Sequence, residues 1–343
     1  MIRAVLFILI GFSFIALFNS CDKILLEEEV DDNPISNFDL LWHDYDQLSG
    51  LLFVKNMNWD SLYNVYRPMV NMNSTDEELY TAITGLMGHY NNYHEFLLPT
   101  NSDLKKYYSS PHMRVDRNDF KYQVVEDFYL LENKEFSEII HYGKLQDNIG
   151  YIHISDMSHN QRHYKKAMTE IMDYLKDTKA IIIDVRQNGG GWDETTKTIG
   201  GRFFTEKTNY LIVRKRNGPK HTDFTEAVTY YIEPYGDFQY TKPVALLTHR
   251  ETGSAAETFT LGMKRRINLI QIGDTTAGGM SDAIMRELPN GWLFQISIGD
   301  YLDYNNVSWE SIGVPPDIVV QNDSVDIKNG IDKTLETAIN YLK

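Results

Sequence analysis

Cysteine is nearly absent from this chain: Cys21 is the only one in 343 residues, so no intrachain disulfide can form. Basic residues are scarce beside acidic ones, 33 Lys and Arg against 48 Asp and Glu, for a net charge of −15. A surface of that sign repels phosphate backbones and argues against nucleic acid as a partner. Beyond Phe18 no segment is apolar over the ~20 residues that a spanning helix needs. No His, Cys and Asp residues fall at metal-ligand spacing, so neither a metal nor an organic cofactor is implied. Gly189, Gly190 and Gly191 lack the following Lys-Ser/Thr of a phosphate-binding loop. Internal repeats and low-complexity tracts are missing as well. What is present is an ordinary globular composition, 42% hydrophobic and 24% charged, in a length that suits one large domain or two modest ones.

The chain begins Met1-Ile2-Arg3, runs apolar from Ala4 to Phe18 and closes that run with Asn19-Ser20-Cys21. This is the plan of a secretory signal. Ser20 directly before Cys21 resembles the lipobox of bacterial lipoproteins, which implies cleavage before Cys21 and acylation of its thiol; an uncleaved anchor is the alternative. Either way the rest of the chain is expected outside the cytoplasm, lipid-anchored in the cell envelope on its periplasmic or outer side. The organisation reads as a signal peptide over 1–20, an acidic tether over 21–35, a helical subdomain over 36–98, a mixed segment over 99–147 and a core over 148–343. Helical spacing marks Leu40, Leu41, Tyr45, Leu48 and Leu52. Ser74-Thr75-Asp76-Glu77 reads as a capping box opening the next helix. Tyr122 to Tyr129 reads as a strand. From Gly150 onward strands and helices alternate. Strands are expected at 151–154, 180–185, 209–214, 228–233, 243–248, 268–272 and 292–299. Helices are expected at 164–175, 193–203, 255–266 and 330–342. Such alternation defines an α/β core.

Thr252-Gly253-Ser254-Ala255-Ala256-Glu257 joins an apolar strand to a helix. A serine at that corner presents its hydroxyl beside the free amides of the new helix, where the helix dipole favours an anion. A nucleophile next to an oxyanion site is what acyl transfer requires. The same serine also fits a plain N-cap. Asp184-Val185-Arg186-Gln187-Asn188-Gly189-Gly190-Gly191 ends the buried strand with three glycines, which suit either a flexible turn or close backbone approach to a ligand. On the second reading, an amide from Gly189, Gly190 or Gly191 and that of Ala255 make the two halves of an oxyanion hole. A serine needs a base. Ten histidines are available, and composition does not rank His94, His153 or His249 decisively. Glu310, two residues after Ser308 and three before Gly313-Val314-Pro315-Pro316-Asp317-Ile318, is the best carboxylate to orient one.

Taken in order, Gly150–Asp156, Asp184–Gly191, Pro243–Phe259, Gly273–Gly279 and Gly313–Ile318 resemble the S41 family of serine peptidases, which contains the tail-specific processing proteases and the tricorn core protease. That resemblance implies a crotonase- or ClpP-like ββα spiral core after the helical subdomain, and a polypeptide substrate. The tail-specific branch uses a Ser-Lys dyad with its lysine in Thr-x-Gly-Lys-Gly; here Thr276-Ala277-Gly278-Gly279-Met280 puts Gly279 at that place. The tricorn-like branch uses an N-terminal histidine and a glutamate before the Gly-Val-x-Pro-Asp motif, which match His94 and Glu310. Its serine ahead of the histidine is replaced by Tyr93. The resemblance therefore implies Ser254 as nucleophile, His94 as base and Glu310 as orienting carboxylate, acting directly or through Tyr93. About 50 residues between Leu98 and Gly150 are too few for an inserted PDZ domain. Two rivals remain at this stage: an inactive surface protein that binds a peptide or hydrophobic ligand on this scaffold, and a hydrolase of non-peptidic esters.

Overall fold

A computed structural model describes residues 31–114 and 118–343. The signal, Cys21 and most of the acidic tether lie outside the described residues. Four helices open the described chain: α1 (Pro34–Leu48), α2 (Leu51–Val54), α3 (Trp59–Tyr66) and α4 (Asp76–Met87). Pro34 suits the first turn of α1, where its missing N–H costs nothing, and the Asn33 side chain accepts from the Ser36 amide (3.0 Å). The capping box of α4 is formed by Thr75 and Glu78, one residue later than the sequence reading placed it.

The chain continues through β1 (Phe96–Leu98), β2 (Tyr107–Tyr108), α5 (Tyr122–Phe128), β3 (Glu132–Ser137), β4 (Ile140–Leu145), β5 (Ile149–Ile154), α6 (Gln161–Leu175), β6 (Ala180–Asp184) and α7 (Asp193–Gly200). Then follow β7 (Thr208–Lys215), β8 (Val228–Ile232), β9 (Val244–Thr248), α8 (Ala255–Met263), β10 (Leu269–Gly273), β11 (Ala283–Glu287), β12 (Leu293–Ser297), β13 (Gly299–Asp303), β14 (Ile318–Val319), α9 (Ser324–Lys328) and α10 (Lys333–Leu342).

Seven strands make the main sheet in the order β14-β10-β9-β6-β5-β4-β3. The five from β14 to β5 run parallel, and β4 and β3 add antiparallel at one edge. Parallel strands covered on both faces read as continuous apolar runs. In β6, Ile181 and Ile183 pack with Met168, Ile171 and Leu175 of α6, while Ala180 and Ile182 face Leu335 and Ala338 of α10. Two antiparallel sheets flank this layer, β13-β7-β8 and β11-β12-β1-β2. The α/β class is as expected. The helical segment shares its core with the second flanking sheet: Phe38, Leu41, Tyr45 and Ile83 pack in one cluster with Leu288, Trp292, Phe294 and Ile296.

The strand expected over Tyr122–Tyr129 is instead helix α5. Its aromatic and β-branched residues carry strand propensity, but Val124 and Val125 are buried and Gln123 donates to both Glu126 and Asp127 (2.9 Å each), a spacing only a helix offers.

Candidate active site

Strands β6 and β9 are parallel neighbours, paired from Ile181↔Val244 to Asp184↔Leu247, so both deliver their C-terminal loops to one edge of the sheet. Ligands bind at such edges in open α/β sheets. The loops are sewn together: the Gly253 amide donates to the Asn188 carbonyl (3.0 Å), and the Thr252 hydroxyl to the Val185 carbonyl (2.8 Å). Asn188 is buried and braces the corner by donating to the Ile154 carbonyl (2.9 Å) and accepting from the Gly190 amide (2.9 Å).

Ser254 begins α8 with φ 54° and ψ −125°. Such a conformation is costly for a side-chain-bearing residue, of order 1–3 kcal/mol, and persists only where the surroundings impose it. The surroundings are specific. The Ser254 amide reaches the Gly279 carbonyl (3.0 Å) and the Glu257 carboxylate (3.1 Å). Buried Glu257 also accepts from the Thr276 hydroxyl (2.6 Å) and the amides of Gly278 (2.7 Å) and Gly279 (2.8 Å). Burial pushes the Glu257 carboxyl up to about 7 against the pull of these four donors. This carboxylate ties the loop after β10 to the serine corner.

The glycine triplet lies against that corner. A Cβ on Gly190 (φ 110°) would sit 2.5 Å from the Ser254 Cβ and 2.9 Å from the Ala255 nitrogen. Only glycine permits both the backbone angle and the approach. The Gly190 amide, however, is already given to Asn188, and its carbonyl accepts from Met157 (2.8 Å). Of the three glycines expected to offer an oxyanion donor, Gly190 is therefore spent as a spacer. Gly191 lines the cavity in front of Ser254. Gly189 turns its carbonyl to the Tyr93 hydroxyl (3.5 Å). The amide of Ala255, in the first turn of α8, is one that helix geometry leaves without an intrahelical partner.

His94 stands between a 3-10 turn (Gly88–Tyr90) and β1. It lines the same cavity as Ser254, a recess of about 410 Å³. Its Nδ1 is buried without a hydrogen-bond partner. Burial pushes the imidazole down to about 4, with Asp282 and the Ser281 backbone pulling the other way, so the ring is neutral at physiological pH. No hydrogen bond joins imidazole to hydroxyl; contacts of this kind are often loose until substrate is bound.

Glu310 is buried, and its carboxylate accepts from Asn92 Nδ2 (2.8 Å) and the amides of Met280 (3.1 Å) and Ser281 (2.6 Å). Burial pushes it up to about 8. Among the described residues none of its hydrogen bonds comes from the His94 ring or from Tyr93, so the expected direct or tyrosine-mediated contact is replaced. The link runs through Asn92, whose side-chain oxygen accepts from the His94 amide (2.9 Å). Glu310 thus fixes the backbone that carries His94. Tyr93 has a different place. A Cβ on Gly279 would fall 2.5 Å from the Tyr93 Cβ, and one on Gly253 would fall 2.7 Å from the Tyr93 ring. The tyrosine fills the space that a longer residue at position 279 would need.

Asn92 and Glu257 were missed by sequence reasoning. Ser254-x-x-Glu257 is a capping-box spacing and carried a usable signal. Asn92 carried none, since nothing in Asn91-Asn92-Tyr93 separates it from its neighbour. His153 and His249 lie elsewhere: His153 stacks on Tyr122 (4.6 Å between centroids), and His249 contacts Asp119 (3.2 Å). The described residues contain no group of three or more His, Cys, Asp or Glu side chains able to hold a metal.

The ends of β6 and β9 thus bring Gly191 and Ser254, the latter in its positive-φ conformation, to one recess, which half-buried His94 lines from the loop before β1. The family model for peptidase family S41 matches residues 148–320. The chain belongs to that family. It is 27% identical over 180 residues to the carboxy-terminal processing protease CtpA of Bacillus subtilis, covering 52% of this chain and 36% of that one. It is also 27% identical over 212 residues to the tricorn protease of Thermoplasma volcanium, covering 61% of this chain and 18% of that one. Among solved structures, a candidate peptidase from Parabacteroides merdae superposes with a TM-score of 0.79 at 27% identity, over 91% of this chain and 97% of that one. The chain matches about a third or less of the length of these curated relatives.

Proposed function

We propose that this chain is a serine endopeptidase that cleaves polypeptides through an acyl-enzyme. Ser254 attacks the peptide carbonyl. His94, kept neutral by burial, takes the serine proton and returns it to the leaving amine. The amides of Ala255 and Gly191 hold the tetrahedral oxyanion. Losing one such donor costs about 3 kcal/mol of transition-state stabilisation. Glu310 and Asn92 position the His94 backbone, and Tyr93 packs beneath the serine loop. The observation that carries this reading is the sharing of one recess by a serine in a strained conformation and half-buried His94, whose Nδ1 is buried and unpartnered. Strain and an unsatisfied buried polar atom both cost stability, and both are what catalysis asks of these groups. The family's named proteases agree in direction.

The test is cleavage of an unfolded polypeptide by the mature domain. Products are expected from the wild-type protein and none from Ser254→Ala. Turnover of small esters with intact polypeptide would instead identify an esterase. Binding of peptides without cleavage of either would identify an inactive binding protein on this scaffold.

For the membrane attachment we propose acylation at Cys21, on the strength of the apolar run and the Ser20-Cys21 junction. Metabolic labelling with a palmitate analogue is expected to tag the protein, and Cys21→Ser to abolish the tag. An unmodified Cys21 in the mature protein would overturn it.

A further inference from the structure

The sheets of this molecule end in the outer strands β2, β3, β8, β11, β13 and β14. β2 and β14 are two residues long, and β3, β11 and β13 carry charged residues. Short or charged edges keep a free strand from pairing with another chain. β8 has neither safeguard. It is outermost in the order β13-β7-β8 and reads Val228-Thr229-Tyr230-Tyr231-Ile232, without charge, proline or glycine. Among the described residues no group outside β7 bonds an amide or carbonyl of this strand.

A groove of about 480 Å³ runs beside β8. Val228, Thr229, Tyr230 and Tyr231 all line it, with Lys165 of α6 and Lys197 of α7 among its other lining residues. Successive strand side chains point to opposite faces, so a groove that touches four residues in a row follows the strand's edge. The groove adjoins the recess in front of Ser254, since Glu194 and Tyr230 line both.

We infer that β8 is a docking edge on which an extended segment of a polypeptide substrate pairs as an added strand, entering the recess at Tyr230. Main-chain hydrogen bonds to the free edge give such a strand affinity whatever its sequence, and the spaces for alternate side chains give preference. A second copy of this chain is the other occupant an uncharged edge admits. Continuity with the recess that holds Ser254 favours the substrate. The inference rests on the peptidase reading for the fate of the bound segment, but not for the docking itself.

The test is hydrogen–deuterium exchange of the Ser254→Ala protein, with and without reduced and alkylated lysozyme as an unfolded probe. Exchange over residues 228–232 is expected to slow at least tenfold when the probe is bound. Neighbouring amides of β8 point alternately towards β7 and outward. One of Val228→Pro and Thr229→Pro therefore removes an outward donor and leaves the pairing with β7 intact. That folded variant is expected to bind the probe at least fivefold more weakly, read by anisotropy. Unchanged exchange over 228–232 with the probe bound, or no binding of the probe, overturns the inference. So does protection of β8 in the free protein that grows with its concentration, which would assign the edge to a second copy. Protection of β8 by the probe, with no cleavage by the wild-type protein, upholds the docking edge and removes the peptidase reading. Cleavage by the wild type with β8 left unprotected removes the docking edge alone.

Discussion

Two strand-to-helix corners stand side by side at the heart of this molecule. β6 and β9 are equally buried, run in register and turn at the same sheet edge into α7 and α8. At the first corner the backbone takes positive φ twice, and both residues are glycine. At the second the backbone again takes positive φ, and the residue is Ser254. Where the chain needs only shape, glycine carries it without strain. Where a side chain must project from the same kind of turn, serine is retained at a cost of order 1–3 kcal/mol, and four hydrogen bonds to Glu257 together with the Gly279 carbonyl hold it there. The two corners are also unequal partners: the glycine one is shaped to let the serine one exist, because any Cβ at Gly190 would occupy the place of Ser254.

The largest effect expected from breaking this asymmetry comes from Ser254→Gly. Peptide cleavage should fall by at least about 10⁴-fold, as for other catalytic serines, while the melting temperature rises by an amount worth roughly 1 kcal/mol. Paired activity assays and thermal melts check both halves; a Gly variant no more stable than wild type would remove the strain argument. Conversely, Gly190→Ala puts a side chain where φ is 110° and the Ser254 Cβ is 2.5 Å away. It should lose about 2 kcal/mol or more of stability in chemical denaturation and at least a hundredfold in kcat/KM. An active Gly190→Ala protein would mean that the two loops are not in contact.

The third side of the recess is sharpened by pH. Burial holds His94 at about 4 against an ordinary value of 6.5, so the free base exists well below neutrality. The acid limb of kcat/KM is then expected near pH 4 to 5. A limb near 6.5 would place the imidazole in water. The smallest effect concerns the loop that underlies the serine. Gly279→Ala brings a Cβ onto Tyr93 and should destabilise the protein by about 1–2 kcal/mol. Combining it with Tyr93→Gly, which removes the Cβ that the new side chain meets at 2.5 Å, should recover most of that, a positive coupling in a double-mutant cycle. Additive losses would show that residues 93 and 279 do not touch.

Much of this arrangement was legible in the residues. Ala180–Asp184 and Val244–Thr248 announced themselves by continuous apolarity, because both faces of a parallel strand are covered. The corner at Ser254 followed from the strand, the Gly-Ser step and the helix after it. Other parts were silent for identifiable reasons. The edge strand β3 reads Glu-Asn-Lys-Glu-Phe-Ser and is largely exposed, so no apolar alternation marks it. β1 and β2 are three and two residues long, below the length at which a period can be read. Strand propensity over Tyr122–Tyr129 pointed the wrong way, since local side-chain bonds and burial of one face decided for helix. At the site, residue roles that depend on chemistry alone were visible, while those that depend on long-range geometry were not. That Asn92 joins Glu310 to the His94 backbone involves partners 218 positions apart. That Gly190 gives its amide to Asn188 is a matter of rotamer and loop shape.

The most direct test of the central claim, that His94 activates Ser254 across one recess, is the rate of modification by a fluorophosphonate at neutral pH. The account predicts a single adduct on Ser254, forming at least a hundredfold more slowly in a folded His94→Ala protein. Equal rates in the two proteins, with the adduct still on Ser254, would contradict it.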